Sequence, residues 1–195
     1  MLELILIRHG ETMDNIKKIY MGHSNSPLSK NGKKQAKQLK KIISKEIFDA
    51  VYSSDLGRCM ETAALLRLKI NIIQSKNLRE MNFGIVEGLN RMEFYRKYPD
   101  VAKKWDEDWF NYQIPEGESF KITNERVVKQ IEEIKSVYAK GKIAIITHSG
   151  CIRLILANYL IKNPEGFWNF SIDNAAISRL CFDKDYAYLK SLNER

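Results

Sequence analysis
Arg8 and His9 stand directly behind the apolar run Leu2-Glu3-Leu4-Ile5-Leu6-Ile7. A run of that length reads as a buried strand. The chain therefore delivers a cation and an imidazole to the strand's carboxyl end, where open α/β sheets bind ligands. Arg8 is a permanent cation whose planar fork matches phosphate oxygens. His9 is neutral over much of the physiological range and can attack as a nucleophile. Gly10, next to it, permits a sharp turn or a close approach of backbone. The chemistry that fits such a group is transfer of a phosphoryl group onto the imidazole.

Two more segments bring matching residues to the same kind of place. Ala50 to Ser53 is expected to be a strand, followed by a helix with Ser54 or Asp55 as its N-cap. Arg58 then falls in the helix's first turn, where the macrodipole disfavours a cation unless an anion is shared between them. Lys142 to Thr147 is a second buried strand, ending at His148, and a helix starts at once with Ser149 and Gly150. Its free N–H groups can receive a phosphoryl oxygen, and a donating His148 can stabilise charge there. A departing alkoxide must also be protonated. Glu80 can give that proton and later take one from water, but spacing alone does not choose it over Glu87 or Glu11.

The chain at this point resembles the histidine phosphatase superfamily, the phosphoglycerate-mutase-like proteins. The resemblance runs from Ile5 to about Asn174. It is carried by Leu6-Ile7-Arg8-His9-Gly10-Glu11-Thr12 with Asn15, by Gly22 to Leu28, and by Tyr52-Ser53-Ser54-Asp55-Leu56-Gly57-Arg58. Leu78 to Gly88, Pro115-Glu116-Gly117-Glu118-Ser119 and Thr147-His148 complete it in the family's order. It implies that His9 becomes the phosphohistidine and Glu80 the proton donor. Arg8, Arg58 and His148, with Asn15 and the Ser149 amide, would hold the phosphoryl oxygens. It implies no metal and no cofactor. Val86 stands where many relatives carry tryptophan, Asn25 where they carry aspartate, and Ser149 where a glycine often follows the histidine; none of these removes a reacting group.

The elements that must position these residues alternate along the chain. Strands are expected near 2–7, 49–53, 70–73 and 142–147, and helices near 29–46, 55–67, 121–140 and 149–161. Such alternation predicts an α/β fold, a three-layer α/β/α sandwich with a mostly parallel sheet. Ile177 to Phe182 and Tyr186 to Leu192, joined at Asp183-Lys184-Asp185, are expected to add a terminal hairpin. At 195 residues and 44% hydrophobic content the chain fits one domain with its own core.

Residues 81–120 hold nine of the twenty aromatics, and eight acidic against five basic residues. This composition predicts a small inserted cap over the catalytic end. Phe83, Phe94, Tyr95, Trp105, Trp109 and Tyr112 are expected either to shape a leaving-group pocket or to form the cap's own core.

The formal charge of +8 does not indicate a nucleic-acid partner. Its densest stretch, Lys30 to Lys45, has an apolar stripe of Ala36, Leu39 and Ile43 ringed by lysines, the pattern of a solvated helix face. No apolar run approaches the roughly 20 residues of a membrane span, and the first residues lack the basic start of a signal peptide. Cys59, Cys151 and Cys181 form no disulfide framework and suit a reducing cytoplasm.

These features predict a metal-independent phosphomonoesterase acting on a small phosphorylated metabolite. The resemblance is strongest to the α-ribazole-phosphatase-like branch, which makes α-ribazole 5′-phosphate one candidate substrate. Two readings stand beside it: a phosphoglycerate mutase, and a non-catalytic module that binds a phosphorylated ligand.

Overall fold
The computed structural model describes residues 1–184 and 186–195, and its centre is a six-stranded sheet. The strands are β1 (Leu2–Arg8), β2 (Ala50–Ser54), β3 (Ile72–Ser75), β4 (Gly141–Thr147), β5 (Ile177–Asp183) and β6 (Tyr186–Glu194), in spatial order β3-β2-β4-β1-β5-β6. The four strands β3, β2, β4 and β1 run parallel; β5 lies antiparallel to β1, and β6 to β5. The terminal hairpin thus forms and extends the sheet. Of its expected turn, Asp185 lies outside the described residues.

Strand periodicity divides the core. On β1, Leu2, Leu4 and Leu6 face one side and pack with α6 (Phe120–Val137) and α7 (Ser149–Leu156), through Val127, Ile131, Ile134, Ile152 and Ile155. Ile5 and Ile7 face the other side, against α2 (Lys30–Ile43) and α3 (Gly57–Leu66), through Leu39, Ile43, Ala63 and Leu66. Alternate residues of a strand point to opposite faces, so one heptapeptide anchors both helical layers. On α2 the buried side chains are Ala36, Leu39 and Ile43, the stripe expected among the lysines.

Gly10 and Gly32 show what the glycine after His9 is for. A Cβ on Gly32 would stand 2.0 Å from the Glu11 carbonyl oxygen, and one on Gly10 would stand 2.6 Å from the Gly32 carbonyl oxygen. The first turn of α2 therefore lies backbone to backbone on the loop that carries His9. Gly32→Ala is expected to cost about 1–3 kcal/mol, the usual penalty of overpacking, read as a lower denaturant midpoint at unchanged slope. An unchanged midpoint would mean that the helix moves aside without cost.

Residues 81–120 contain α4 (Arg91–Lys97) and α5 (Pro99–Glu107), and with them a third cluster. Met81, Val86, Phe94, Ala102, Ile114 and Phe120 pack there with Leu154 of α7 and Phe167. Of the six aromatics named above, Phe94 is buried in this cluster and Phe83, Tyr95, Trp105 and Trp109 pack against it. Most of them thus form the segment's own core. The short α1 (Met13–Lys17) follows the loop after β1.

Several boundaries move for identifiable reasons. β3 begins at Ile72 rather than residue 70, because Gln74 and Ser75 continue the pairing alongside Ser53 and Ser54. α6 ends at Val137, short of residue 140. α7 gives way after Leu156 to a π-helical turn over 157–161, where the Asn158 side-chain amide donates to the Leu154 carbonyl at 2.7 Å. Among the described residues no helix is long and apolar enough to cross a membrane.

Candidate active site
β1 and β4 pair in parallel with Arg8 opposite Thr147, so His9 and His148 leave the sheet side by side. Their ring centroids are 5.2 Å apart, edge to face, and both residues are buried. His9 is fixed from several directions. Its amide donates to the Thr147 carbonyl, and its own carbonyl accepts from the Ala175 amide and the Asn174 side chain. The ring Nδ1 lies 2.7 Å from the Gly10 carbonyl, which can only accept, so Nδ1 carries the proton and Nε2 the free lone pair. Burial, then the charges of Arg58 and Arg8, hold His9 well below the usual histidine range. It stands uncharged.

Arg58 is the second residue of α3, and that helix has no side-chain cap. Both expected caps are engaged elsewhere. The Asp55 carboxylate holds Arg79 through two bonds at 2.6 and 2.5 Å, and the Ser54 hydroxyl is 2.9 Å from His148 Nε2. The helix starts after Leu56 instead and leaves its N-terminal N–H groups open beside a cation. The Arg58 guanidinium is nearly fully buried and donates to the Gly22 carbonyl at 2.6 Å, the Ser24 carbonyl at 3.1 Å and His148 Nδ1 at 3.2 Å. Of five guanidinium N–H groups, two remain for a ligand.

His148 accepts from Arg58 at Nδ1 and donates from Nε2 to Ser54, so both ring nitrogens are engaged within the protein. Burial, with Arg58 beside it, keeps this ring neutral as well. Here it orients Arg58. Arg8 donates to the Ile172 carbonyl at 2.6 Å, while its Nε is buried with no hydrogen-bond partner; burial pushes its pKa down to about 10.

Asn15 lies in the capping box of α1, and its side-chain oxygen accepts from the Thr12 amide and from Asn174. This leaves its NH2 group free to donate. Ser149 is the first residue of α7, whose N-cap, His148, makes no side-chain cap. The uncapped start of α3 therefore lies beside Arg58, and both Arg58 and Arg8 act on His9. The helix end adds a partial positive charge to the two cations, which suits the place to an anion.

The three candidate carboxylates separate clearly. Glu87 accepts from the amides of His23, Ser24 and Phe83 and so organises the loop that supports Arg58. Glu11 accepts from Ser29 and Asn31 at the start of α2. Glu80 instead rests on the N-terminus of α7: its Oε2 accepts from the Gly150 amide at 3.0 Å and its Oε1 from the Met81 amide at 3.1 Å. Its charge opposes the lowering of both Arg8 and Arg58 by burial, which places it at the same site.

Sequence reasoning missed what holds Glu80 in place. Arg126, on α6, donates to the carbonyls of Asn77, Arg79 and Glu80 at 2.6–2.9 Å and to both oxygens of Glu118. Glu118 also accepts from the Asn82 amide, and the His23 ring donates to the Glu80 carbonyl. One guanidinium thereby gathers three carbonyls on either side of the carboxylate-bearing residue. Asn174, which ties Asn15 to His9, was also unassigned. No local spacing marks either residue, because the carbonyls that Arg126 binds lie 46 to 49 positions away and the partners of Asn174 159 and 165.

Comparison with known proteins identifies the family. Residues 4–195 match the histidine phosphatase superfamily, branch 1. The chain is 31% identical to the adenosylcobalamin/alpha-ribazole phosphatase of Escherichia coli, covering 100% of this chain and 97% of that one. It is 30% identical to phosphoserine phosphatase 1 of Hydrogenobacter thermophilus, covering 99% and 92%. The crystal structure of the alpha-ribazole phosphatase from Shigella flexneri superposes with a TM-score of 0.92 at 30% identity, covering 98% and 96%. The match over residues 4–195, with relatives of 30% identity or more across nearly the whole chain, makes the chain a member of the histidine phosphatase superfamily, branch 1.

Proposed function
We propose that this enzyme hydrolyses small phosphomonoesters in two steps through a phosphohistidine at His9. The observation that carries the reading is the bond from His9 Nδ1 to the Gly10 carbonyl, which turns an uncharged Nε2 lone pair into the nucleophile. Nε2 attacks phosphorus, the P–O bond to the alcohol breaks, and protonated Glu80 gives its proton to the leaving oxygen. Glu80 then takes a proton from water as the hydroxide oxygen attacks phosphorus; the P–N bond breaks and inorganic phosphate leaves. Charge in such transfers spreads over the equatorial oxygens. Arg8, Arg58, the Asn15 amide and the Ser149 N–H stabilise it, and His148 acts by holding Arg58.

Residues 81–120 serve as the cap of a single domain, since they begin directly after Glu80 and their two ends are tied by the bond from the Glu118 amide to the Asn82 carbonyl. The metabolite is drawn from the classes for which the relatives are named, α-ribazole phosphate and phosphoserine. The three thiols, all buried and unpaired, support a cytoplasmic setting.

Rapid acid or base quench during turnover of an aryl phosphate with chelator present tests the cycle. A phosphoenzyme that is stable in base and labile in acid should accumulate in Glu80→Gln, with steady turnover down on the order of 10²–10³. Turnover that needs added metal, or normal release of phosphate by Glu80→Gln, would refute it. Transfer to a phosphoglycerate acceptor in place of water would show a mutase.

A further inference from the structure
Six arginines are buried or half-buried among the described residues: Arg8, Arg58, Arg79, Arg126, Arg153 and Arg179. Three are neutralised by carboxylates, Arg79 by Asp55, Arg126 by Glu118, and Arg179 by Glu3, Glu46 and Glu194. Arg8 and Arg58 are the phosphoryl cations of the mechanism above. Arg153 remains. Its Nε is buried with no hydrogen-bond partner, and among the described residues no carboxylate forms a salt bridge with it.

A half-buried guanidinium without an acceptor is costly unless a ligand completes it. Arg153 is three residues past Gly150 on α7. Helical side chains lean toward the helix N-terminus, so Arg153 reaches back toward the end where Gly150 holds Glu80. Its field acts on Arg8, and that of Glu80 acts on it, as neighbours in one site. The guanidinium carbon lies 5.3 Å from the Phe167 ring centroid and 6.0 Å from that of Trp168, so two aromatic rings help to hold the group in place. Trp168 itself is 60% exposed, on the open side.

Glu80 protonates the leaving oxygen, so a cation beside Glu80 meets the leaving alcohol and not the transferred phosphoryl group. We infer that Arg153 receives a carboxylate carried by that alcohol, which makes the preferred substrate a small phosphorylated hydroxy acid. This rests on the phosphohistidine reading, and it sets phosphoserine-like esters before uncharged phosphorylated nucleosides. A planar, stacked guanidinium suits a carboxylate, which it can hold through two parallel bonds.

Two matched pairs of esters differ only at the carboxylate: phosphoserine against phosphoethanolamine, and 3-phosphoglycerate against glycerol 3-phosphate. The measured quantity is the ratio of kcat/KM within each pair, for the parent, Arg153→Met and Arg153→Lys. Methionine keeps an apolar stem of similar length. The parent should favour the carboxylated ester of at least one pair by about 10–100-fold, the worth of a hydrogen bond to a charged group. Arg153→Met should bring that ratio near one, mainly through KM, and Arg153→Lys should restore part of it. No preference in either pair, a preference that survives Arg153→Met, or faster turnover of α-ribazole 5′-phosphate than of both acids overturns the inference. An equal loss on both esters of a pair, with a shifted pH profile, also overturns it, because Arg153 would then act only through Glu80. Absence of a phosphoenzyme with any ester, aryl phosphate included, would instead count against the underlying cycle.

Discussion

His9→Ala is expected to lower turnover of an aryl phosphate by on the order of 10⁵-fold or more, leaving only the residual rate that the remaining phosphate-binding groups give over water. The size follows from the geometry. Among the described residues of the site, His9 alone offers an uncharged nitrogen lone pair; His148 has both ring nitrogens engaged, by Arg58 and Ser54. Water cannot simply replace the imidazole, because in the proposed cycle Glu80 serves the leaving alcohol as the acid in that step and is not available to water as a base. The variant should still bind inorganic phosphate, since Arg8, Arg58 and the uncapped start of α3 remain. It should also fold, because alanine removes a buried ring that forms only the Nδ1 bond to Gly10 through its side chain. Phosphate binding without turnover and without phosphoenzyme is therefore the signature. Turnover within about 100-fold of the parent would mean that water attacks phosphorus directly, and the covalent cycle would have to be abandoned.

The residues behind that prediction were visible in the linear chain to different degrees. β1 was legible because seven residues bury both faces of a central strand, and such strands are continuously apolar. Its end placed Arg8 and His9 without further help. α2 was legible from its stripe, and the hairpin of β5 and β6 from two runs around a polar turn. The cap of α3 was not legible. Ser54 and Asp55 are good capping residues, but His148 and Arg79 claim them from distant strands and loops. Tertiary partners override local capping preference here, and the uncapped helix end is part of the anion site. The same cause hid the Arg126 clamp, since it binds carbonyls, which carry no residue identity. It also kept Glu80, Glu87 and Glu11 indistinguishable by spacing, although each has different work once the hydrogen bonds are known. Arg153 was invisible for the opposite reason: what marks it is the lack of a partner, and that appears only in three dimensions.

The buried histidines predict an unusual response to acid. His9 and His148 stay uncharged in the folded protein well below the usual histidine range, through burial first and the nearby arginines second. In the unfolded chain both take up a proton near pH 6.5. Below that pH the unfolded state therefore binds more protons than the native state, and stability must fall as pH falls. Each histidine contributes a slope of up to about 1.4 kcal/mol per pH unit. The two losses act together as pH falls below the unfolded histidine range, against a total stability of about 5–15 kcal/mol for a typical domain. His23 is lowered too and acts in the same direction, but it is only half-buried. Carboxylates held below their usual range by cations, such as Asp55 and Glu46, lose their contribution only as pH drops through the carboxylate range. The interval from pH 6.5 to 5 thus isolates the histidines. Denaturant unfolding across it should show a steep fall, roughly halved in slope by His148→Gln and little altered by His23→Gln. By about pH 7.5, where the unfolded histidines have lost their protons, all three curves should level off. A flat profile from pH 7 to 5 would mean that His9 and His148 accept protons in the folded state, and an imidazolium at His9 has no lone pair with which to attack.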